Sequence, residues 1–78
     1  MHFVYILVSE DGQHHYMGIT TDIDRRLQEH NNGQSIHTNK FRPWRLETFT
    51  AFANQQKAEA FEVYLKSHSG RAFSVKHF

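Results

Sequence analysis

The chain has 78 residues, which is the size of one small domain, and we expect residues 1–78 to fold as a single unit. It contains no cysteine, which excludes disulfides and a thiolate zinc site, and it has no apolar run of the roughly 20 residues that a membrane span needs. The formal net charge of +1 favours no class of partner. Because the sequence lacks a signal-peptide pattern, we expect a cytoplasmic protein that does not contact membranes.

The first predicted element is a β-hairpin. Residues 3–8 are β-branched or aromatic, and they end at the turn signal Ser-Glu-Asp-Gly at 9–12. Residues 14–18 then return as a second strand. Alternation along the first strand predicts two faces, with Val4, Ile6 and Val8 on one and Phe3, Tyr5 and Leu7 on the other. Both faces are partly apolar, which is typical of a sheet covered by helices.

A turn and a helix follow the hairpin. Residues 16–30 indicate the end of a strand, a turn at Gly18 and then an amphipathic helix. Asp22 is the predicted N-cap of this helix, and Gly33 is its predicted left-handed C-cap. Residues 34–42 are polar and basic and predict a loop.

Two pairs of side chains lie on neighbouring faces of the first predicted helix. Arg26 and His30 are four residues apart and share one face. Ile23 and Leu27 form an adjacent pair that we expect to face the core. The helix therefore presents a guanidinium and an imidazole beside its buried stripe, across the turn from Tyr16.

The second half of the chain predicts one more strand and one more helix. Residues 44–52 form the strand, with one set of side chains expected on one face: Trp44, Leu46, Thr48, Thr50 and Phe52. Asn54 caps a helix over 55–67. Its predicted apolar side consists of Ala58, Phe61 and Leu65 with neighbouring Ala60 and Tyr64. Residues 71–78 fit either a short helix or a strand.

These elements define the expected fold class, which is α+β. Their order is β-β-α-β-α with a short C-terminal element. We expect a three-stranded antiparallel sheet flanked by helices.

Each polar side chain of this pattern has an ordinary structural role when it is considered alone. Either tyrosine suits a strand, Arg26 suits a solvated helix face, and His30 suits the end of a helix, where the helix dipole favours a cation. An ion pair with Lys66, four residues later, accounts for Glu62.

Several chemistries are excluded by spacing. The seven histidines form no helical zinc pattern, and the chain has neither a phosphate-binding loop nor a dinucleotide-binding turn. A hard cation such as Mg²⁺ needs only one or two carboxylates, because water and phosphate oxygens complete its coordination. A magnesium site with a single glutamate therefore stays open.

The ordered set of these residues resembles the GIY-YIG nuclease superfamily, most closely its small stand-alone bacterial members. The resemblance covers nearly the whole chain. It rests on Val4-Tyr5-Ile6, on Tyr16-Met17-Gly18, on the spaced set Gly18, Thr20, Ile23, Arg26, Leu27 and His30, and on Glu62 before Tyr64-Leu65-Lys66-Ser67. Further matches are Thr38, Arg42-Pro43-Trp44 and Ser69-Gly70-Arg71. The departures are Val-Tyr-Ile in place of Gly-Ile-Tyr, and Met17 in place of an isoleucine.

The resemblance implies a role for each residue of the site. Tyr5 would be the general base towards the attacking water, provided that a nearby cation lowers its pKa, and Tyr16 would orient the water or the scissile phosphate. Arg26 would stabilise the transition state, and His30 would hydrogen-bond the phosphate or Tyr16. Glu62 would bind one divalent cation, Mg²⁺ or Mn²⁺. His37 or Lys40 would occupy the place of a further catalytic residue found in some members.

The implied function is a divalent-metal-dependent DNA endonuclease. From the positions of positive charge alone, we expect phosphate contacts at Lys40, Arg42, Arg45, Lys66 and Arg71. One alternative is a nucleic-acid-binding module that lacks turnover, which pairing of Glu62 with Lys66 would favour. The other is a protein-interaction domain that uses exposed aromatics such as Trp44 or Phe78. The substrate (a branched or damaged DNA repair intermediate, invading DNA, or RNA), the oligomeric state and any partner protein that supplies specificity stay open.

Overall fold

The computed structural model describes residues 1–36 and 38–67. Within them it has three strands and two α-helices, together with one turn of 3-10 helix. In chain order these are β1 (His2–Ser9), β2 (His15–Thr20), α1 (Ile23–Asn31), the 3-10 helix (Asn39–Phe41), β3 (Trp44–Phe52) and α2 (Gln55–Lys66). The predicted β-β-α-β-α order is confirmed. No helix in these residues is long and apolar enough to cross a membrane.

The sheet has the order β2-β1-β3, and both pairs of neighbours are antiparallel. The central strand β1 is buried from Val4 to Ser9, because each of its faces is covered by a helix. On one face, Val4 and Ile6 pack with Ala58 and Leu65 of α2. On the other face, the cluster consists of Tyr5, Leu7 and Trp44 with Tyr16, Leu27 and Leu46 packed against it. The predicted alternation of β1 is therefore confirmed.

The prediction that β3 presents one continuous face is wrong. The register pairs Ile6 with Thr48 but Leu7 with Leu46, so Glu47 is an extra residue opposite a single step of β1. Because of the extra residue, side chains before the bulge point to the opposite face of the sheet from the one that simple alternation predicts. Trp44 and Leu46 consequently pack beside α1, whereas Phe52 packs beside α2.

Both helices begin where capping side chains predict. The Asp22 carboxylate accepts a hydrogen bond from the backbone N–H of Arg25 at 3.1 Å, and Asn54 caps α2 in the same way. At the end of α1, Gly33 has a φ of +77° and donates to the carbonyl of His30. The N–H of Gln34 completes a Schellman motif by donating to the carbonyl of Glu29.

The apolar side of α2 is narrower than its sequence predicts. Ala58 and Leu65 are fully buried, but Ala60 is exposed and Tyr64 is 43% exposed, so neither belongs to the core. Ser67 is the C-cap of α2 and not its last helical residue. The predictions for His37 and for residues 71–78 lie outside the described residues.

Candidate active site

Four polar or aromatic side chains meet on the face of the sheet that α1 covers. Tyr5 projects from the centre of β1, and Tyr16 projects from β2 at 6.3 Å between ring centroids. Arg26 and His30 project from one face of α1, as their spacing predicts. The His30 ring lies 4.9 Å from the Tyr16 ring and 6.0 Å from the Tyr5 ring. The structure therefore brings together these four residues of the predicted site.

The Tyr5 hydroxyl and His30 Nε2 form a buried hydrogen bond of 3.0 Å. Tyr5 is 2% exposed and His30 is 0% exposed, so water does not compete for this contact. The sequence predicted Tyr16 or a phosphate as the partner of His30. In this structure Tyr5 makes the hydrogen bond and Tyr16 contacts the imidazole only through its ring, so the Tyr16 alternative is wrong, whereas the phosphate alternative stays a prediction.

The neighbours of His30 determine its tautomer. The Arg26 guanidinium lies 3.5 Å from Nε2, and a guanidinium has no acceptor atom. Nε2 is therefore the acceptor, and the Tyr5 hydroxyl donates to it. The ring proton is on Nδ1, which donates to the Thr38 hydroxyl at 2.6 Å. This assignment follows from the hydrogen-bond network.

Thr38 is itself held by the core. Trp44 Nε1 donates to the Thr38 carbonyl at 2.8 Å, and Thr38 is 1% exposed. The Asn31 side chain connects the end of α1 to β3 by accepting from the backbone N–H of Trp44 and donating to its carbonyl. The imidazole is thus held on its Nδ1 side by Thr38, which Trp44 holds in turn. Because Trp44 is 4% exposed in this arrangement, its predicted alternative role in a partner-binding surface is wrong.

Gly18 makes room for the Tyr5 ring. Gly18 is directly opposite Tyr5 in the β1–β2 register, and a Cβ there would lie 2.5 Å from the Tyr5 hydroxyl oxygen and 2.7 Å from its Cζ. The sequence interpretation of Gly18 as a turn residue is wrong, since β2 continues to Thr20. Glycine stands here because the phenol passes close to the backbone.

Arg26 is oriented by an acidic neighbour on its own helix. Its Nη1 donates to the Glu29 carboxylate at 2.7 Å, while its Nη2 faces His30. The Arg26 side chain is 31% exposed, so its guanidinium keeps access to solvent. It is an electropositive group that is fixed beside a phenol and a neutral imidazole.

Burial sets the protonation states of the Tyr5 phenol and the His30 imidazole. Burial raises the pKa of the Tyr5 phenol above its usual value of 10.0, and the neighbouring Arg26 cation offsets this only in part. Tyr16 and Glu62 also raise the pKa of Tyr5. Burial, followed by the charge of Arg26, lowers the pKa of His30 below 6.5. At neutral pH the phenol is protonated and the imidazole is neutral.

Glu62 lies on α2, the helix that packs against Val4 and Ile6. Its charge acts on Tyr5, and its carboxylate also pairs with Lys66 at 3.5 Å, as the i, i+4 spacing predicts. In the part of the chain that the structure describes, no three His, Cys, Asp or Glu side chains gather into a metal-binding cluster. One carboxylate with a 21% exposed side chain suits a hard cation that keeps most of its water ligands.

The basic residues predicted to contact phosphates do not form one group. Lys40 and Arg42 line an open cleft at the β1–β2 turn, and Arg45 donates to the Ser9 carbonyl there at 3.3 Å. Lys66 lies at the end of α2 with Glu62. Arg71 is outside the described residues.

Sequence reasoning missed two residues that support the site. Thr38 was noted only as a point of resemblance, and its loop position gives no local signal that it reaches His30. Glu29 lies three residues after Arg26, so an i, i+3 ion pair would have identified it.

Comparison with known proteins places this geometry in a family. Residues 1–76 match the GIY-YIG catalytic domain. A UPF0213 protein of Halalkalibacterium halodurans is 39% identical over 71 residues, covering 90% of this chain and 74% of the relative. A UPF0213 protein of Clostridium perfringens is 36% identical over 67 residues, covering 85% of this chain and 71% of the relative.

The first of these relatives also has a solved structure, which shows the same likeness. The solution NMR structure of a UPF0213 protein from Bacillus halodurans has a TM-score of 0.56 and 36% identity, covering 96% of this chain and 82% of that one. The three-stranded antiparallel sheet and the two helices agree with the family match. The chain therefore belongs to the GIY-YIG catalytic domain family and, within it, to the UPF0213 proteins.

Proposed function

We propose that this protein is a divalent-metal-dependent endonuclease that hydrolyses phosphodiester bonds of DNA. The observation that carries the proposal is the hydrogen bond from the Tyr5 hydroxyl to His30 Nε2, with Arg26 beside the same nitrogen. A phenol, a proton acceptor and a guanidinium within one small site are the groups that water attack on a phosphodiester needs.

Tyr5 acts in this proposal as a base that works through His30. Its pKa is raised, so a free phenolate does not form at neutral pH. The phenol oxygen takes a proton from the attacking water while its own proton passes to His30 Nε2. The imidazole is neutral beforehand and becomes imidazolium, and the Thr38 hydroxyl holds the ring in the receiving orientation. Tyr16, against the imidazole ring, orients the water or the phosphate.

Arg26 stabilises the charge that builds on the non-bridging phosphate oxygens. A guanidinium presents a planar fork of donors to a phosphate, and Glu29 fixes its direction with one hydrogen bond. The Tyr5–His30 pair and Arg26 thus supply different parts of the same step.

Glu62 is the proposed ligand of a divalent cation, Mg²⁺ or Mn²⁺, with water and phosphate oxygens as the remaining ligands. When bound, such a cation stabilises negative charge on the leaving oxygen. Lys66 pairs with the Glu62 carboxylate at 3.5 Å and would have to release it for Glu62 to hold a cation.

A second candidate function is a nucleic-acid-binding module without turnover. Two observations favour it: Tyr5 is almost wholly buried, and Glu62 is paired with Lys66. A substrate-bound enzyme needs both residues accessible to the phosphate and the cation. Cleavage measurements decide between the two functions.

The test is cleavage of labelled duplex, single-stranded and branched DNA with Mg²⁺ or Mn²⁺, and with EDTA as the metal-free control. We expect cutting that EDTA abolishes and that Glu62→Ala and Arg26→Ala remove. Glu59→Ala and Arg25→Ala, which change exposed neighbours on the same helices, should cut like the parent protein. Binding of DNA without cutting of any substrate would refute the enzyme and support the binding module.

A further inference from the structure

An open cleft lies at the end of the sheet where β1 turns into β2. Its volume is about 350 Å³, and its lining comes from the hairpin turn and the 3-10 helix: Ser9, Glu10, Asp11, Lys40, Phe41 and Arg42. Tyr5, Tyr16, Arg26, His30 and Glu62 do not line it. The cleft is therefore a separate candidate binding site.

The cleft has an aromatic wall. The Phe41 ring stacks on the His14 ring at 3.7 Å between centroids and 19° between planes. Phe41 is nevertheless 36% exposed, so part of its ring faces solvent. The Lys40 ammonium lies 5.6 Å from the Phe41 centroid, a loose contact that a flat ligand can replace. A partly exposed aromatic ring that lines a cleft suits a nucleobase, because every base has a π-face.

Charges of both signs border this wall. Lys40 and Arg42 contribute positive charge to the lining, and Arg45 lies nearby, in contact with the carbonyl of the lining residue Ser9. Glu10 and Asp11 contribute carboxylates to the same lining. Cations suit a phosphate, and carboxylates suit the amino groups on a base edge. The combination matches a nucleotide better than an inorganic anion.

The cleft is connected to the candidate active site. Ser9 and Tyr5 lie on the same face of β1, four residues or roughly 13 Å apart at the rise of a β-strand. Thr38, which holds His30, directly precedes the 3-10 helix that carries Lys40 and Phe41. At about 3.4 Å per stacked nucleotide, the two places are separated by roughly four nucleotides.

We propose that this cleft binds an unpaired nucleotide of the nucleic-acid substrate, with its base stacked on Phe41 and its phosphate held by Lys40 and Arg42. The inference rests on the proposed function, because the nucleotide belongs to the strand that enters the Tyr5 site. It specifies the substrate class: the protein prefers nucleic acid with a single-stranded segment near the cut, since a base inside a duplex cannot reach the ring.

The test is binding in EDTA, so that its result does not depend on cleavage. Fluorescence anisotropy would compare single-stranded DNA, duplex with a single-stranded overhang and fully paired duplex. The variants are Phe41→Ala, Phe41→Trp and, as a matched control in the same loop, Ile36→Ala, whose side chain is 87% exposed. A 2-aminopurine base moved along the overhang would report stacking by its quenching.

We expect Phe41→Ala to weaken binding of both single-stranded probes by roughly 5- to 150-fold, the range that loss of one base–aromatic stack gives. Phe41→Trp should restore binding, Ile36→Ala should leave it unchanged, and the paired duplex should change by less than about twofold. Quenching should peak at one position and disappear in Phe41→Ala.

Equal effects of Phe41→Ala on paired and unpaired probes, or no measurable binding of DNA in EDTA, would overturn the inference even if cleavage is observed. Adenosine monophosphate is a further probe. Affinity for it equal to that for the overhang would mean a free-nucleotide site and would also overturn the inference. Loss of cleavage in every assay with the stacking result intact would refute only the proposed enzyme.

Discussion

Replacing Thr38 with valine tests the support behind the imidazole. The Thr38 hydroxyl accepts a 2.6 Å hydrogen bond from His30 Nδ1, and both residues are at most 1% exposed. Valine has nearly the same shape but leaves the Nδ1–H without a partner and without water. An unsatisfied buried donor costs about 1–3 kcal/mol, and each kcal/mol lowers the Tm of a domain of this size by about 4–8 °C.

Thermal unfolding of the parent protein, Thr38→Val and Thr38→Ser would measure this effect. Thr38→Ser keeps the hydroxyl and loses one methyl group, which contributes about 0.8 kcal/mol, so it should be the milder change. Thr21→Val, at an exposed threonine before α1, is the surface control and should stay within about 0.5 kcal/mol. A Tm for Thr38→Val equal to or above that of Thr38→Ser would refute the inferred hydrogen bond and the tautomer derived from it.

Three further changes probe the pH response, the packing and the proposed cation ligand. Because the folded-state pKa of His30 lies below 6.5, the unfolded chain binds the proton more readily, so the free energy of unfolding in urea should fall as pH drops below about 6.5. His30→Gln should lack this part of the pH dependence. The same pH dependence in His30→Gln and the parent protein would contradict the lowered pKa of His30. Gly18→Ala should lower the free energy of unfolding by about 1–3 kcal/mol, because the added Cβ would meet the Tyr5 ring. In a Tyr5→Leu background the same change should cost much less. An unchanged cost in that background, measured by urea unfolding, would refute the contact. Lys66→Met removes the cation that pairs with the Glu62 carboxylate, so Mn²⁺ should bind up to about fivefold more tightly. An EPR titration without DNA would measure this affinity. Equal Mn²⁺ affinity of the variant and the parent protein would argue against Glu62 as the ligand.

Local signals in the sequence predict the elements of this fold well. The capping side chains of Asp22 and Asn54 set both helix starts, and the bounds 44–52 of the third strand are confirmed. Gly33 ends α1 as expected, because glycine adopts the left-handed backbone conformation there without steric strain. These features depend on neighbours a few residues apart, so they can be read from the chain alone.

Features that depend on distant contacts are not predictable in this way. Gly18 resembles a turn residue in the sequence, and only the passage of the Tyr5 ring across the sheet explains it. The bulge at Glu47 depends on the register against β1, which an alternating pattern does not specify. The His30–Thr38 bond joins a helix to a loop, and the spacing of polar residues in that loop gives no indication of it.

The site itself is partly predictable. Helical spacing alone predicts that Arg26 and His30 share a face, and hairpin pairing predicts that Tyr5 and Tyr16 share one. The burial that protonates the phenol and neutralises the imidazole is a tertiary effect. For that reason the sequence suggests a phenolate base, whereas the structure has a protonated phenol hydrogen-bonded to His30, from which we propose proton transfer to the imidazole.

Single-turnover cleavage of labelled DNA by Tyr5→Phe is the measurement that tests the central claim most directly. The variant keeps the ring and removes only the hydroxyl that bonds His30, so a thermal melt in parallel would establish that it is folded. General-base catalysis contributes about 10²–10⁴-fold, and the account predicts a loss of that size at saturating Mg²⁺ and DNA. Cleavage by folded Tyr5→Phe within about twofold of the parent rate would contradict the claim that Tyr5 and His30 form the hydrolytic pair.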